Sequence, residues 1–252
     1  MCCGLGLAGA AQAAPDPAQV ARGRDLVAAG ECGAGHSRPC GPEFAGGRAI
    51  ATPFGTIYST NITFDRDTGL GTWSEEDFYR ALHSGIRKDG ANLYPAMPYN
   101  YYTKLTAADV AAMYAYLETV GAVRNAAPAP ELMFPLGWRW LMKIWNFLFF
   151  REGSFVPDPG QTTAWNRGAY LVDALGHCGA CHTPTNLLGA PKSGSYLEGG
   201  ELDHWFAPML TAGGSEGLGG WGSAEIVRFL KTGANDRTAA FGPMAEAVEN
   251  ST

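Results

Sequence analysis

The sequence predicts an all-α chain in which two tandem copies of one loop-rich unit are joined by an amphipathic linker helix. Three observations carry that expectation. Short blocks recur at a nearly constant offset, apolar residues follow helical spacing behind capping residues, and strand-like alternation is sparse. Arg22-Gly23-Arg24-Asp25-Leu26-Val27 matches Arg167-Gly168-Ala169-Tyr170-Leu171-Val172, and Cys32-Gly33-Ala34-Gly35-His36 matches Cys178-Gly179-Ala180-Cys181-His182. Gly69-Leu70-Gly71-Thr72-Trp73 pairs with Gly217-Leu218-Gly219-Gly220-Trp221, and Tyr94-Pro95-Ala96-Met97 with Phe241-Gly242-Pro243-Met244. The blocks stay 145 to 148 residues apart, as a duplication with few insertions requires.

The elements follow in order. Cys2 to Ala11 is a short apolar run, closed by Ala11-Gln12-Ala13 and a Pro-Asp-Pro stretch, and 1–13 reads as a clipped export signal. The first unit, 17–122, opens with a helix bearing Gly23, where a small side chain suits close helix crossing. Ser74 with Asp77, and Thr106 with Asp109, are capping-box-like starts. Val110, Met113, Tyr114 and Leu117 then predict a closing helix over 107–119. The linker, 123–162, places Trp140, Leu141, Ile144, Trp145 and Leu148 on one helical face, with Arg139 and Lys143 on another. That face suits a helix packed on both units, or one lying in a bilayer interface. The second unit, 163–252, reaches Met244 without a counterpart of the closing helix and is expected to be truncated.

The composition excludes several classes. A formal net charge of -6 lacks the positive field that nucleic acid requires. No run of about 18 uncharged apolar residues supports a conventional transmembrane helix. No Ser/His/Asp arrangement, phosphate loop or dinucleotide fingerprint is present.

The Cys/His blocks carry the chemistry. Cys-x-x-Cys-His is the attachment motif of c-type haem, in which two thiols one turn apart add to the vinyl groups and the adjacent imidazole ligates iron. Met244 follows His182 by 62 residues, and Met97 follows His36 by 61, so the same His and Met pair recurs at matched spacing. Pro243 precedes Met244, and Pro95 and Pro98 flank Met97, which predicts stiffened loops holding both thioethers. One haem is expected on Cys178 and Cys181, with His182 and Met244 as axial ligands. Gly35 stands where the first motif needs its second thiol. A second haem would be held through Cys32 alone, with His36 and Met97, or be absent. Cys40 is an extra thiol that could pair with Cys32 in an oxidising compartment. His83, His177 and His204 have no repeated partner and read as surface or supporting residues. Iron filled by His and Met exchanges single electrons, with no free position for a substrate.

The runs Phe44-Ala45-Gly46-Gly47-Arg48-Ala49-Ile50, Pro53-Phe54-Gly55-Thr56-Ile57-Tyr58-Ser59-Thr60-Asn61-Ile62-Thr63 and Gly71-Thr72-Trp73-Ser74-Glu75-Glu76-Asp77-Phe78 carry a resemblance. So do Trp165-Asn166-Arg167-Gly168 and the stretch from Gly176 to Pro184. The chain resembles the cytochrome c subunit of bacterial membrane-bound dehydrogenases, with alcohol dehydrogenase and gluconate 2-dehydrogenase the nearest types. The resemblance implies tandem cytochrome c domains with loop-rich haem pockets, from a family that carries three haems. It implies an electron relay in the periplasm, at the outer face of the cytoplasmic membrane, from a catalytic dehydrogenase subunit to ubiquinone. The chain would then be an electron-transfer subunit with no catalytic residues of its own. Two alternatives stand beside this: a di-haem peroxidase-like enzyme, and a degenerate fragment that does not assemble.

Overall fold

The computed structural model describes residues 15–202, 204–213 and 217–251. The expected export signal, with Cys2 and Cys3, lies outside them. Helix α1 (Pro17–Ala29) begins where Asp16 accepts the Ala18 amide at 3.0 Å and Pro17 supplies a pre-set first turn. It crosses α5 (Ala107–Leu117), the predicted closing helix of the first half, in the most extensive helix pairing of the molecule. The crossing depends on Gly23: a Cβ there would lie 1.8 Å from the Ala112 carbonyl oxygen and 2.9 Å from Tyr116 Cβ. Only glycine lets the two backbones approach so closely. Between these helices lie α2 (Cys32–His36), α3 (Glu75–Ser84) and the short α4 (Tyr99–Tyr102). Helix α3 starts on the expected capping box, with Ser74 and Asp77 exchanging side chain to backbone bonds at 3.1 Å.

The expectation of an all-α chain is wrong. Two small antiparallel sheets join the helices. Strands β1 (Ala49–Thr52) and β2 (Gly55–Tyr58) form a hairpin across Pro53-Phe54, in the register Ala49 to Tyr58. β2 then pairs with β3 (Glu131–Leu132), which arrives from the linker. The second sheet is the pair β4 (Gly200–Leu202) and β5 (Trp205–Ala207). Ile50, Ile57, Thr56 and Tyr58 do carry strand preference. Their segments are four residues long, too short for alternation to separate them from loop.

The second half contains α7 (Thr163–Tyr170), α8 (Gly179–His182), α9 (Ser223–Thr232) and α10 (Gly242–Ser251). Helix α7 continues as a π-turn over Leu171–Leu175. At Gly168, the position matching Gly23, a Cβ would meet nothing within 4 Å. The same sequence feature thus sits in a helix crossing in one half and faces open space in the other.

The core runs through both halves. Leu26, Val27, Leu105, Val110, Met113 and Leu117 pack in one cluster with Tyr170, Ala174 and Leu175. Asp109 pins the junction. It was expected to complete the cap of α5, and its amide does bond Thr106 Oγ1 at 3.1 Å. Its buried carboxylate turns inward instead, accepting from Arg22 at 2.9 Å and from the Tyr170 hydroxyl at 2.5 Å. Helix α6 (Leu141–Phe149) lies across both halves. Trp145 packs near Tyr99 and donates its indole N–H to the Leu188 carbonyl at 3.0 Å. Trp140, Ile144 and Leu148 stay about half exposed, so the apolar face read from the sequence is split between core and surface. Among the described residues, no helix is long and apolar enough to cross a membrane.

Candidate functional site

Each Cys/His motif is a single helical turn. In α8, Cys178 and Cys181 stand three residues apart, so both thiols fall on the same side of the turn, and His182 closes it. Both thiols are free and half-buried, and burial pushes each up to about 11. His182 is buried, and its Nδ1 lies 2.6 Å from the Pro208 carbonyl oxygen. A carbonyl only accepts, so Nδ1 carries the proton and Nε2 keeps its lone pair for a metal. Desolvation lowers the His182 pKa, an effect that the Pro208 hydrogen bond opposes. The ring is therefore held as a neutral imidazole.

Helix α2 repeats the arrangement. His36 Nδ1 lies 2.7 Å from the Thr60 carbonyl oxygen, and burial again lowers its pKa. Thr60 and Pro208 are 148 residues apart, the same offset as the matched blocks. Cys32 is half-buried and pushed up to about 12, chiefly by burial. At Gly35 a Cβ would meet nothing within 4 Å, so the place of the missing thiol has room for a side chain. Cys32 and Cys40 are both free, and the disulfide considered between them is not formed.

Gly179 shows how closely the second motif is packed. A Cβ there would lie 2.6 Å from the Tyr196 ring and 2.9 Å from the Tyr101 ring. Any larger residue at position 179 would drive both tyrosines off the turn. Tyr196 in turn donates its hydroxyl to Asp173.

The two methionines are placed differently. Met97 lies in a turn, its amide bonded to the Tyr94 carbonyl at 3.0 Å, and it packs against the main core. Met244 was expected on a loop and instead sits in the first turn of α10. That helix reaches back to the first half, where Arg48 grips Glu246 with both guanidinium nitrogens, one contact being 2.8 Å. Arg48 also donates to the Ala34 carbonyl inside the first motif at 3.0 Å.

Glu31, which the sequence did not single out, and His177, read there as a surface or supporting residue, bring the motifs together. Glu31 and His177, each preceding the first cysteine of its motif, adopt left-handed backbones at φ 56° and 35°. Burial raises the Glu31 carboxyl, nearby His177 offsets this in part, and Glu246 reinforces it. Both residues sit at matched positions before a cysteine, which was the signal available in the sequence.

The donor set fits c-type haem: two free thiols on one turn, with a following imidazole whose free nitrogen is fixed by a carbonyl behind it. Among the described residues, no three His, Cys, Asp or Glu side chains converge as a metal-ion site.

No family model matches the chain. It is 48% identical over 233 residues to a nicotinate dehydrogenase subunit of Pseudomonas putida, covering 92% of this chain and 20% of that protein. It is 45% identical to the fructose dehydrogenase cytochrome subunit of Gluconobacter japonicus, covering 92% of this chain and 48% of that one. A diheme cytochrome c-type protein of Cereibacter sphaeroides is 32% identical, with 92% of this chain and 79% of the relative covered. The chain thus spans half or less of the first two relatives and most of the third.

Proposed function

This chain belongs to the c-type cytochrome family of bacterial dehydrogenase cytochrome subunits, and from that premise we propose that it is an electron-transfer subunit. It takes electrons from a membrane-bound dehydrogenase of the alcohol or gluconate type and passes them toward ubiquinone, at the periplasmic face of the cytoplasmic membrane. In this reading the residues fall into two cytochrome units, 17–122 and 163–252, joined by 123–162.

Cys178 and Cys181 would hold haem covalently through thioethers, and His182 and Met244 are the residues that would ligate its iron. Cys32, His36 and Met97 are the corresponding residues of the first unit, with one thioether in place of two. Haem supplies a reversible one-electron couple, which no side chain of the chain offers at comparable potentials. The protein's part is to fix the ligands and their surroundings. Pro208 and Thr60 hold the two imidazoles in one tautomer, and desolvation keeps both neutral. The exposed side chains of Phe134, Trp138, Trp140 and Phe147 supply an apolar surface for peripheral association with the membrane.

The observation that carries this reading is the pair of motif histidines turned the same way, each with Nδ1 on a backbone carbonyl and Nε2 free. The test is a covalent haem count by intact mass, with the reduced absorbance spectrum, on protein exported in a host with haem-attachment machinery. One haem on the peptide containing Cys178 and Cys181 is expected, lost in Cys178→Ala/Cys181→Ala. A mature chain carrying none overturns the assignment.

A further inference from the structure

Helix α6 and the residues flanking it carry apolar side chains on two opposite sides, and the core uses one of them. Trp145 and Phe150 turn inward, with Met142 and Phe149 packed beside them against Tyr99 and Ala190. Trp140, Ile144 and Phe147 recur at helical spacing on the outer side and stay exposed, Phe147 at 79%. Phe134 and Trp138 extend that side ahead of the helix: their rings meet edge to face with centroids 5.1 Å apart, and Trp138 stacks on Trp140 at 6.3 Å. Leu187, 96% exposed, tips the neighbouring turn, whose Leu188 carbonyl takes the Trp145 indole N–H. The charge of this stretch is the reverse of the chain's. Between Glu131 and Glu152 it holds Arg139, Lys143 and Arg151 and no carboxylate, in a chain of net charge -6. Arg139 is engaged inside the protein, over the Tyr94 ring at 4.4 Å and on the Asn92 carbonyl at 2.9 Å. Lys143 and Arg151 are exposed. Lys143 lies one turn from both Trp140 and Phe147, and Arg151 donates to the Phe147 carbonyl at 3.0 Å.

We propose that this outer face of α6 is a docking surface for an anionic phospholipid bilayer, an assignment that rests on the membrane-face reading above and gives it a contact and a lipid class. The helix has nine residues, about 13 Å of length, far short of a bilayer's hydrocarbon thickness, so it lies along the interface with its outer side chains toward the lipid. The rings of Phe134, Trp138, Trp140 and Phe147 enter the boundary between headgroups and acyl chains, where an indole keeps its N–H for a polar headgroup atom. Lys143 and Arg151 run their stems along the apolar surface and reach the phosphates with their charged ends. Charge complementarity selects the lipid class. An anionic surface attracts these cations and repels the acidic remainder of the chain, so the attraction holds only with α6 turned to the bilayer. A protein partner is the weaker fit, since protein interfaces are depleted of lysine at their centre, whereas Lys143 stands among the exposed rings.

The test is flotation of the full chain with vesicles of phosphatidylcholine alone and of phosphatidylcholine mixed with phosphatidylglycerol, at low and high salt. Covalent haem is counted and circular dichroism recorded on every preparation. Trp140→Ser/Phe147→Ser removes two outward rings, and Lys143→Glu reverses one exposed charge. Trp165→Ser/Val227→Ser is the control, since it removes exposed apolar side chains from the second half. The parent should float with the phosphatidylglycerol vesicles and partition about fivefold less, or lower still, onto phosphatidylcholine alone or at high salt. Trp140→Ser/Phe147→Ser should lower partitioning about tenfold or more and Lys143→Glu about fivefold or more, with the control bound like the parent and the dichroism unchanged throughout. A parent that ignores both vesicles or binds both equally overturns the proposal, as does equal loss in the control. A parent that stays off lipid and elutes as a dimer, separated by Trp140→Ser/Phe147→Ser, assigns the face to a second copy and overturns it too. Haem retained without flotation removes the lipid contact while the electron-transfer reading stands; flotation of a chain with no haem does the reverse.

Discussion

Alanine at Gly23 and at Gly168 should move stability in opposite directions. The two residues share a local sequence, each following arginine in a helix ahead of a Cys/His motif. In Gly23→Ala the new methyl would lie 1.8 Å from the Ala112 oxygen and 2.6 Å from its carbonyl carbon, both backbone atoms that no rotamer change can move. Restoring ordinary contact means parting α1 from α5 by roughly 1.5 Å, against the usual separation of packed heavy atoms. Overpacking of this kind costs about 1–3 kcal/mol or more, and separating the helices adds lost burial of the Leu26, Val27, Val110 and Met113 cluster. Alanine gains about 1 kcal/mol over glycine in helix propensity. The net expectation is about 2–3 kcal/mol of destabilisation, a fall in Tm of roughly 4–12 °C for a chain of this size. Gly168→Ala meets no atom within 4 Å and keeps only the propensity gain, which raises Tm by roughly 1–4 °C. Thermal unfolding of both variants, followed by near-UV and far-UV circular dichroism at equal haem content, decides the matter. Gly23→Ala melting with the parent, or Gly168→Ala falling as far as Gly23→Ala, would refute the packing argument.

Three further outcomes are expected. Gly35→Cys places a thiol in open space at the missing position of the first motif, so a haem attached there should saturate its second vinyl group, seen as a shifted α-band in the alkaline pyridine spectrum; a spectrum identical to the parent's counts against that site. Tyr170→Phe removes a 2.5 Å bond to the buried Asp109 carboxylate and should cost about 1.5–3 kcal/mol in denaturant unfolding, the range for hydrogen bonds to charged groups. Burial raises the thiols of Cys32, Cys178 and Cys181 to about 12, 11 and 11, so at pH 8 almost none is thiolate in the haem-free folded chain, and alkylation at these sites should accelerate as pH rises toward those values. Peptide mass mapping checks this: exposed Cys40 should be modified before the three motif cysteines, and motif cysteines labelled first would contradict the burial argument.

The two Cys/His turns were legible in local sequence because they depend on local spacing. Two thiols and an imidazole within one turn need only five consecutive residues, and the matched offset of 148 already contained both backing carbonyls, Thr60 and Pro208. The Ser74 capping box and the closing helix of the first half are likewise set within a few residues. Other features depend on what lies opposite in space. Asp109 looked like a cap residue, yet its partners Arg22 and Tyr170 are 87 and 61 residues away, and a buried carboxylate takes the donors that the packing delivers. β3 is two residues long and exists because the linker passes the open edge of β2, which no periodicity within Glu131–Leu132 can announce. Met244 sits on a helix, where Arg48 from the first half grips Glu246 two residues further on. The sequence by itself determined the spacing of the thiols and imidazoles in the two Cys/His turns; only the tertiary structure decided that Tyr102 stands between the two motifs, because that contact joins segments 75 residues apart through a core shared by both halves.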